Sequence, residues 1–198
     1  MSPNTKQSRR EQSHERILDA AARAVCRDGY AGVGVANVMK EAGLTHGGFY
    51  AHFESRDALL AEAVAHAGAR SIARLQERMR GQVAAGASPL RALVDGYLSE
   101  THLLALEEGC PVAALASEMA RTVAELREVS RQRMRDLLAL VGSVLPAGSP
   151  AGAGLAIAAG IIGALQMARM FEGAARMEVL QACSAALLDQ YDRGAAAA

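Results

Sequence analysis

Ala42-Gly43-Leu44-Thr45-His46-Gly47-Gly48-Phe49-Tyr50-Ala51-His52-Phe53 is the stretch that decides the fold of this chain. Ahead of it, Gly34 to Glu41 reads as a short helical segment, with Val35 and Val38 spaced to face inward. Gly43 supplies the backbone freedom needed to leave that helix in a sharp turn. Thr45 is placed to cap a second short helix, whose Phe49 and Phe53 share one face at a spacing of four. Two short helices joined by a tight Gly-containing turn form a helix-turn-helix, which lays its second helix in the DNA major groove. The expectation is a DNA-binding protein. The alternative on spacing alone is a helical corner of some other all-α protein, with Tyr50 and His52 as ordinary surface residues.

The residue types suit the first reading. A helix inserted in a groove needs small residues at its leading end, and Gly47 and Gly48 provide them. Two glycines cost roughly 1 kcal/mol each relative to Ala, a loss that a purely structural helix has little reason to carry. Thr45 offers a hydroxyl to a base or phosphate and a methyl to a thymine. Tyr50 and His52 are donors for phosphates, which fix register without reading sequence.

From Ser13 to about Ala65 the chain resembles the DNA-binding domain of the TetR family of bacterial transcriptional regulators. Ser13-His14-Glu15-Arg16-Ile17-Leu18-Asp19-Ala20-Ala21 opens the first helix and Asp28-Gly29-Tyr30 closes it. Gly43-Leu44-Thr45 makes the turn, Gly47 to Phe53 the recognition helix, and Ser55-Arg56-Asp57-Ala58-Leu59-Leu60 starts a long connecting helix. The resemblance covers about a quarter of the chain; beyond it the match is in helical character and length. It implies an all-α fold: an N-terminal three-helix DNA-binding domain with a helix-turn-helix, then a helical ligand-binding and dimerisation domain. The divisions expected are a flexible arm over 1–12, the DNA-binding domain over 13–56, the second domain over 57–193 and a frayed tail over 194–198.

The chain departs from the family pattern in places. The second helix commonly starts with Thr and Ser or Thr, where Val33 and Gly34 stand here, so a hydroxyl for a phosphate is missing. Position 46 is often Lys and here is His46, and Gly48 replaces a usual Thr or Ser. Backbone approach and DNA shape then carry more of the specificity than side-chain hydrogen bonds.

At 198 residues the chain is long enough to bury a sizeable core. Abundant Ala and Gly, no Trp and few aromatics make an all-α signature. Lys+Arg 21 against Asp+Glu 21 gives no global push toward nucleic acid, which counts against a nonspecific DNA coat protein. Residues 1–56 hold eight Lys/Arg against six Asp/Glu, so a local basic patch is available from Lys6, Arg9, Arg10, Arg16, Lys40 and Arg56. The polar first dozen residues read as a minor-groove arm or an inert tail. The polar N-terminus lacks a signal-peptide core, and Cys26, Cys110 and Cys183 give neither a disulfide framework nor zinc spacing, which fits a reducing cytoplasm.

In the remaining two-thirds, Ser55 caps a helix to about Arg80 with Leu59, Leu60, Ala63, Val64, Ala67, Ile72, Leu75 and Met79 inward. Arg70, Arg74 and Arg78 line its opposite face as a solvated row. Gly81 to Ala87 reads as a loop, Ser88-Pro89 as a cap with a first-turn proline, and the next helix as running to about Leu106. Thr122 with Glu125 makes a capping box for a helix ending near Leu145, and the last helix spans about Arg176 to Arg193.

Residues 150–168 are uncharged, but Gly and Ala make too weak an apolar content for a membrane span. Gly152, Ala156, Gly160, Gly163 and Ala164 form a small-residue face, and Met177, Leu180, Ser184, Leu187 and Tyr191 form a seam on the following helix. Two such helices suggest a four-helix interface between two copies, which is where the resembled family dimerises. The alternative is a helix buried within one monomer. A homodimer gives the helix-turn-helix two half-sites of a near-palindrome to read.

The resemblance also implies a small-molecule effector, bound in the second domain, that lowers DNA affinity. Candidate lining residues are Tyr97, Leu103, Met119, Val123, Met134, Met167, Met170 and Phe171, with polar anchors at His102 and Glu118 and a small hydrophobic effector in mind. Each can equally be plain core. Few aromatics speak against a stacked planar cofactor, so no cofactor and no metal are expected. Cys110, ahead of Pro111 at a helix start, is a candidate thiolate for oxidants or electrophiles, opposed by Glu107 and Glu108; the alternative is a quiet buried thiol. The leading reading is a homodimeric, ligand-responsive repressor. The rival class is a cysteine-dependent enzyme using Cys110 with His102 as base, which lacks a third group or an oxyanion loop.

Overall fold

The computed structural model describes residues 3–192, with side chains from residue 7 onward. The side chain of Lys6, the expected end of the last helix at Arg193 and the Ala-rich 194–198 lie outside the described residues. Among the described residues there are nine α-helices, one 3-10 helix and no strand. The order is α1 Pro3–Gly32, α2 Val35–Glu41, the 3-10 helix His46–Ala51, α3 Arg56–Ala84, α4 Pro89–Tyr97, α5 Glu100–Leu104, α6 Pro111–Met119, α7 Ala124–Ser143, α8 Ala153–Arg169 and α9 Ala175–Tyr191.

Two apolar clusters organise these helices. The first gathers Ile17, Ala21 and Val25 of α1, Val38 and Met39 of α2, Phe49, Phe53, and Leu59, Leu60 and Val64 of α3, joined by Leu115 and Leu126 from the later helices. The second gathers Leu75 and Met79 from the far half of α3 with Leu93, Tyr97, Val112, Leu137, Val141, Ile157, Ile161, Leu165, Leu180 and Leu188. The helix α3 belongs to both, because its inward residues recur at helical spacing from Leu59 to Met79. Ser55 caps it by accepting the Ala58 N–H at 3.0 Å, as its position before the helix predicts.

Several boundaries differ from the sequence expectations. The first helix reaches back to Pro3, over residues assigned to an arm, with a proline at its first turn and Arg9-Arg10-Glu11-Gln12 as good helix formers after it. Gly29 then breaks α1 with φ 72 and ψ 176, where Asp28-Gly29-Tyr30 was expected to close it. The long helix does not stop at Gly81: helical backbone continues to Ala84, since one glycine is tolerated when its neighbours propagate the helix. Ser88 and Pro89 act as expected, with the Ser88 hydroxyl accepting the Arg91 N–H at 3.1 Å. The helix expected to run to Leu106 divides after Tyr97, because Ser99 caps a new start by accepting the His102 N–H. No capping box forms at Thr122: Val123 is the N-cap of α7 and makes no side-chain cap bond.

Arg70, Arg74 and Arg78 are not a solvated row. Their guanidinium groups donate to Asp19 of α1, to the Glu108 carbonyl and to the Gly96 carbonyl, so they stitch α3 to three other segments. Nor is the α8–α9 pair all spare surface. A Cβ at Gly160 would sit 3.1 Å from Leu187, Leu180 is buried, and Ser184 donates to Asp95 at 2.7 Å. Gly160, Leu180, Ser184 and Leu187 therefore pack within the chain, because α9 must cover the second cluster. Gly152 and Gly163 have nothing within 4 Å of an added Cβ, and Ala156 is exposed. Among the described residues no helix is long and apolar enough to cross a membrane, α8 included.

Candidate nucleic-acid interface

The turn between α2 and the 3-10 helix is built by Gly43 at φ 69, where an L side chain would be strained. Its N–H bonds back to the Lys40 carbonyl and that of Leu44 to the Met39 carbonyl, closing α2. At the other end of α2, Gly34 serves as the N-cap without a side-chain bond. Val33, standing where a phosphate-binding hydroxyl was missed, is buried in the first cluster.

The second element is 3-10 rather than α-helical over His46–Ala51. Thr45 occupies its N-cap position with extended backbone but makes no side-chain cap bond, contrary to the expected role. Two consecutive glycines and no side-chain cap leave too few residues to propagate an α-helix, so a tight turn results. Phe49 is buried and Phe53 with it, their rings stacked at 5.7 Å, which anchors the element to the core. Such anchoring is worth roughly 2–3 kcal/mol per ring.

What remains outward is a small surface. Thr45, His46, Gly47 and Lys40 are exposed, and Tyr50 is 75% exposed. Gly47 has open space around an added Cβ, while a Cβ at Gly48 would lie in ordinary contact with the Met39 side chain, 3.7 Å away. Expected contact residues His52 and Arg56 do not join this face. The guanidinium of Arg56 donates to the Val33 carbonyl at 3.0 Å and to the Tyr30 carbonyl, so it fastens the end of α1. His52 is half-buried beside His14, ring centroids 5.9 Å apart, and its Nδ1 is buried without a partner. Burial, then the neighbouring His14 and Arg10, push its pKa below the usual histidine value.

Supporting contacts that sequence reasoning missed come from α1 and α3, one of them made by Arg10, which was expected only as part of a basic patch. Arg10 donates to the Ala51 carbonyl at 2.9 Å. His14 stacks on Phe53 at 4.7 Å and bonds Glu62 of α3 at 3.0 Å. One and a half turns further on, Asp19 meets His66 of α3 at 2.8 Å, with Arg70 on the same carboxylate. These pairs lie 39 or more residues apart in sequence (His14 and Phe53 are the nearest), so no local pattern signals them.

The candidate effector residues do not converge. Tyr97, His102 and Leu103 are buried core, whereas Val123, Met167, Met170 and Phe171 are exposed. Met119 and Met134 are half-buried against the second cluster, Met119 also touching the first. Glu118 is engaged: its carboxylate accepts the Tyr30 N–H at 3.0 Å. The scatter has a simple cause. The imagined pocket drew on the inner face of α4 and α5 and on the outer face of α8, which sequence period alone does not orient relative to each other.

Cys110 is the N-cap of α6, as its place before Pro111 predicts, but the thiol makes no cap bond and is buried. His102 is not its base. The imidazole Nδ1 donates to the Tyr97 carbonyl at 2.7 Å and Nε2 accepts the Cys110 backbone N–H at 3.0 Å, so both nitrogens are used. Burial pushes the His102 pKa down to about 4. Burial also pushes the Cys26 thiol, within electrostatic reach of Cys110, up to about 12. A neutral imidazole locked between two backbone groups cannot take a proton from the thiol, and the cysteine-enzyme reading fails there.

Residues 17–63 match the family model described as bacterial regulatory proteins, tetR family. A relative in Mycobacterium tuberculosis, an uncharacterized HTH-type transcriptional regulator, is 30% identical over 131 residues, covering 66% of this chain. The chain spans 62% of the length of that relative. A TetR transcriptional regulator from Chloroflexus aurantiacus superposes with a TM-score of 0.75 at 25% identity, covering 93% of this chain and 98% of that one. FadR from Bacillus subtilis, solved in complex with stearoyl-CoA, shares the fold with a TM-score of 0.65 at 18% identity, covering 89% of this chain and 98% of that one.

Proposed function

The chain belongs to the TetR family of bacterial transcriptional regulators, and we propose that it is a sequence-specific repressor that binds a palindromic operator as a homodimer. The observation carrying this is the 46–51 helix: its inner face is anchored by Phe49, while Thr45, His46, Gly47 and Tyr50 stand outward with Lys40 beside them. A glycine-led element lets the backbone approach base edges closely, with Tyr50 and Lys40 as phosphate donors. Arg56 is turned to the end of α1 and His52 toward His14, so neither is counted in this surface.

The dimer reading is favoured by the outer face of α8. Leu155 and Met167 are exposed there, with Ala156 and the open Gly163, and Met170 follows at 84% exposure. Apolar residues in a row on one helix face are what a second copy covers in an isologous contact. A small hydrophobic effector would act by preferring the dimer state whose recognition elements are wrongly spaced for successive grooves.

The test is selection of bound duplexes from random DNA with the full chain, repeated with Gly48→Glu. Enrichment of a palindrome, lost in the variant, is the expected result. No enrichment even at low salt would sink the reading.

A further inference from the structure

We infer, taking the DNA-binding reading as given, that Arg10 is a positioning residue that aims the 46–51 helix, so that the first turns of α1 belong to the DNA-reading unit. The 46–51 helix is poorly equipped to hold its own orientation. It has six residues in 3-10 geometry, two of them glycine, and no side-chain cap at Thr45. Glycines widen its conformational freedom and 3-10 bonds are weaker than α-helical ones. Phe49, the buried side chain within the element, and Phe53 just beyond it fix its depth in the core, but two stacked rings at one end leave its tilt about them open.

The remaining restraint comes from α1. The Arg10 guanidinium donates to the carbonyl of Ala51, the last residue of the 3-10 helix, at 2.9 Å. A cation at the C-terminal end of a helix is electrostatically favourable and satisfies a carbonyl the helix leaves open. One turn along α1, His14 stacks on Phe53 with ring planes 20° apart. The same imidazole bonds Glu62, which fastens the arrangement to α3. Arg10 is exposed and belongs to neither apolar cluster, so the fold does not require it. Its bond joins residues 41 apart and ties the C-terminal end of the reading element to another helix.

Arg10→Ala and Arg10→Lys in the full chain test this. Dissociation constants for the selected operator are measured across a salt series. The Ala variant is expected to bind about tenfold more weakly at every salt concentration, as loss of one charge-assisted hydrogen bond implies. The slope of log Kd against log salt stays unchanged, and Lys, which can donate to the same carbonyl, recovers most of the affinity. A slope lowered by about one phosphate in the Ala variant would show that Arg10 touches DNA directly and would overturn the inference. So would wild-type affinity in the Ala variant. Amide hydrogen exchange at His52 and Phe53, without DNA, reads the brace separately: Arg10→Ala should speed it, and unchanged exchange would overturn the inference. Failure of the wild-type chain to select any duplex counts against DNA binding alone, since the exchange measurement needs no operator.

Discussion

The Glu118 carboxylate of α6 accepts the backbone N–H of Tyr30 at the end of α1, 3.0 Å away. Tyr30 is held from three further sides, by Arg56 of α3 on its carbonyl and by Ser130 of α7, 2.9 Å from its hydroxyl, and by burial of its ring. This junction ties the DNA-reading helices to the rest of the chain. The preceding Gly29 adopts φ 72 and ψ 176, a conformation open essentially to glycine alone, and a Cβ there would run into the Glu118 carboxylate. Gly29→Ala is therefore expected to cost about 2–3 kcal/mol of stability, from strain and the displaced carboxylate together. A denaturant midpoint equal to that of the wild type would show the junction to be slack.

Gly47 presents the opposite case. Nothing lies within 4 Å of an added Cβ, and its φ is not positive. Gly47→Ala should raise stability by up to about 1 kcal/mol by restricting the unfolded chain, while weakening operator binding. Thermal melts and operator titrations on the same preparation read both. Tighter or unchanged DNA binding would remove Gly47 from the reading surface.

His102 predicts a pH dependence. Its pKa is about 4 in the folded chain against an ordinary 6.5, chiefly through burial. Between those values the unfolded chain holds a proton that the folded chain refuses, so unfolding is favoured as pH falls. The contribution is complete above about pH 6.5 and is lost progressively toward pH 4, amounting to roughly 3 kcal/mol. Comparing denaturation of the wild type and His102→Gln at several pH values isolates it. The stability gap between the two should narrow from pH 7 to pH 4.5; a constant gap would mean that His102 does not titrate as described.

Leu155→Glu with Met167→Glu tests the proposed dimer face. Both side chains are largely exposed in the single chain, at 64% and 48%, so the helical content should not change. Sedimentation should shift from dimer to monomer, and operator binding should fall with it. A dimer that survives both charges would place the contact elsewhere.

How far the sequence carried the reading differs between its two halves. The turn at Gly43, the caps at Ser55 and Ser88 and the burial of Phe49 and Phe53 were legible, because each depends on neighbours within four residues. The inward turn of Arg56, the burial of His52 beside His14 and the bond from Arg10 were not, since the groups they meet are distant in sequence. The same limit explains Gly160 and Ser184. Small and polar residues at helical spacing announce a close neighbour, but whether that neighbour is Leu187 and Asp95 of the same chain or a second copy is decided only by the packing of α9.

At 29 residues, α3 is a rod about 43 Å long. Leu59 and Leu60 sit in one apolar cluster and Leu75 and Met79 in the other, so the rod is embedded at both ends. It acts as a lever: a tilt of about 5° about one end carries the other roughly 4 Å, by simple geometry on that length. Two levers swinging in opposite senses would alter a separation of about 34 Å between recognition elements by a large part of a groove width. In the proposed dimer, a slight deformation of the body far from the DNA would thus suffice to change the register at which two copies meet the duplex.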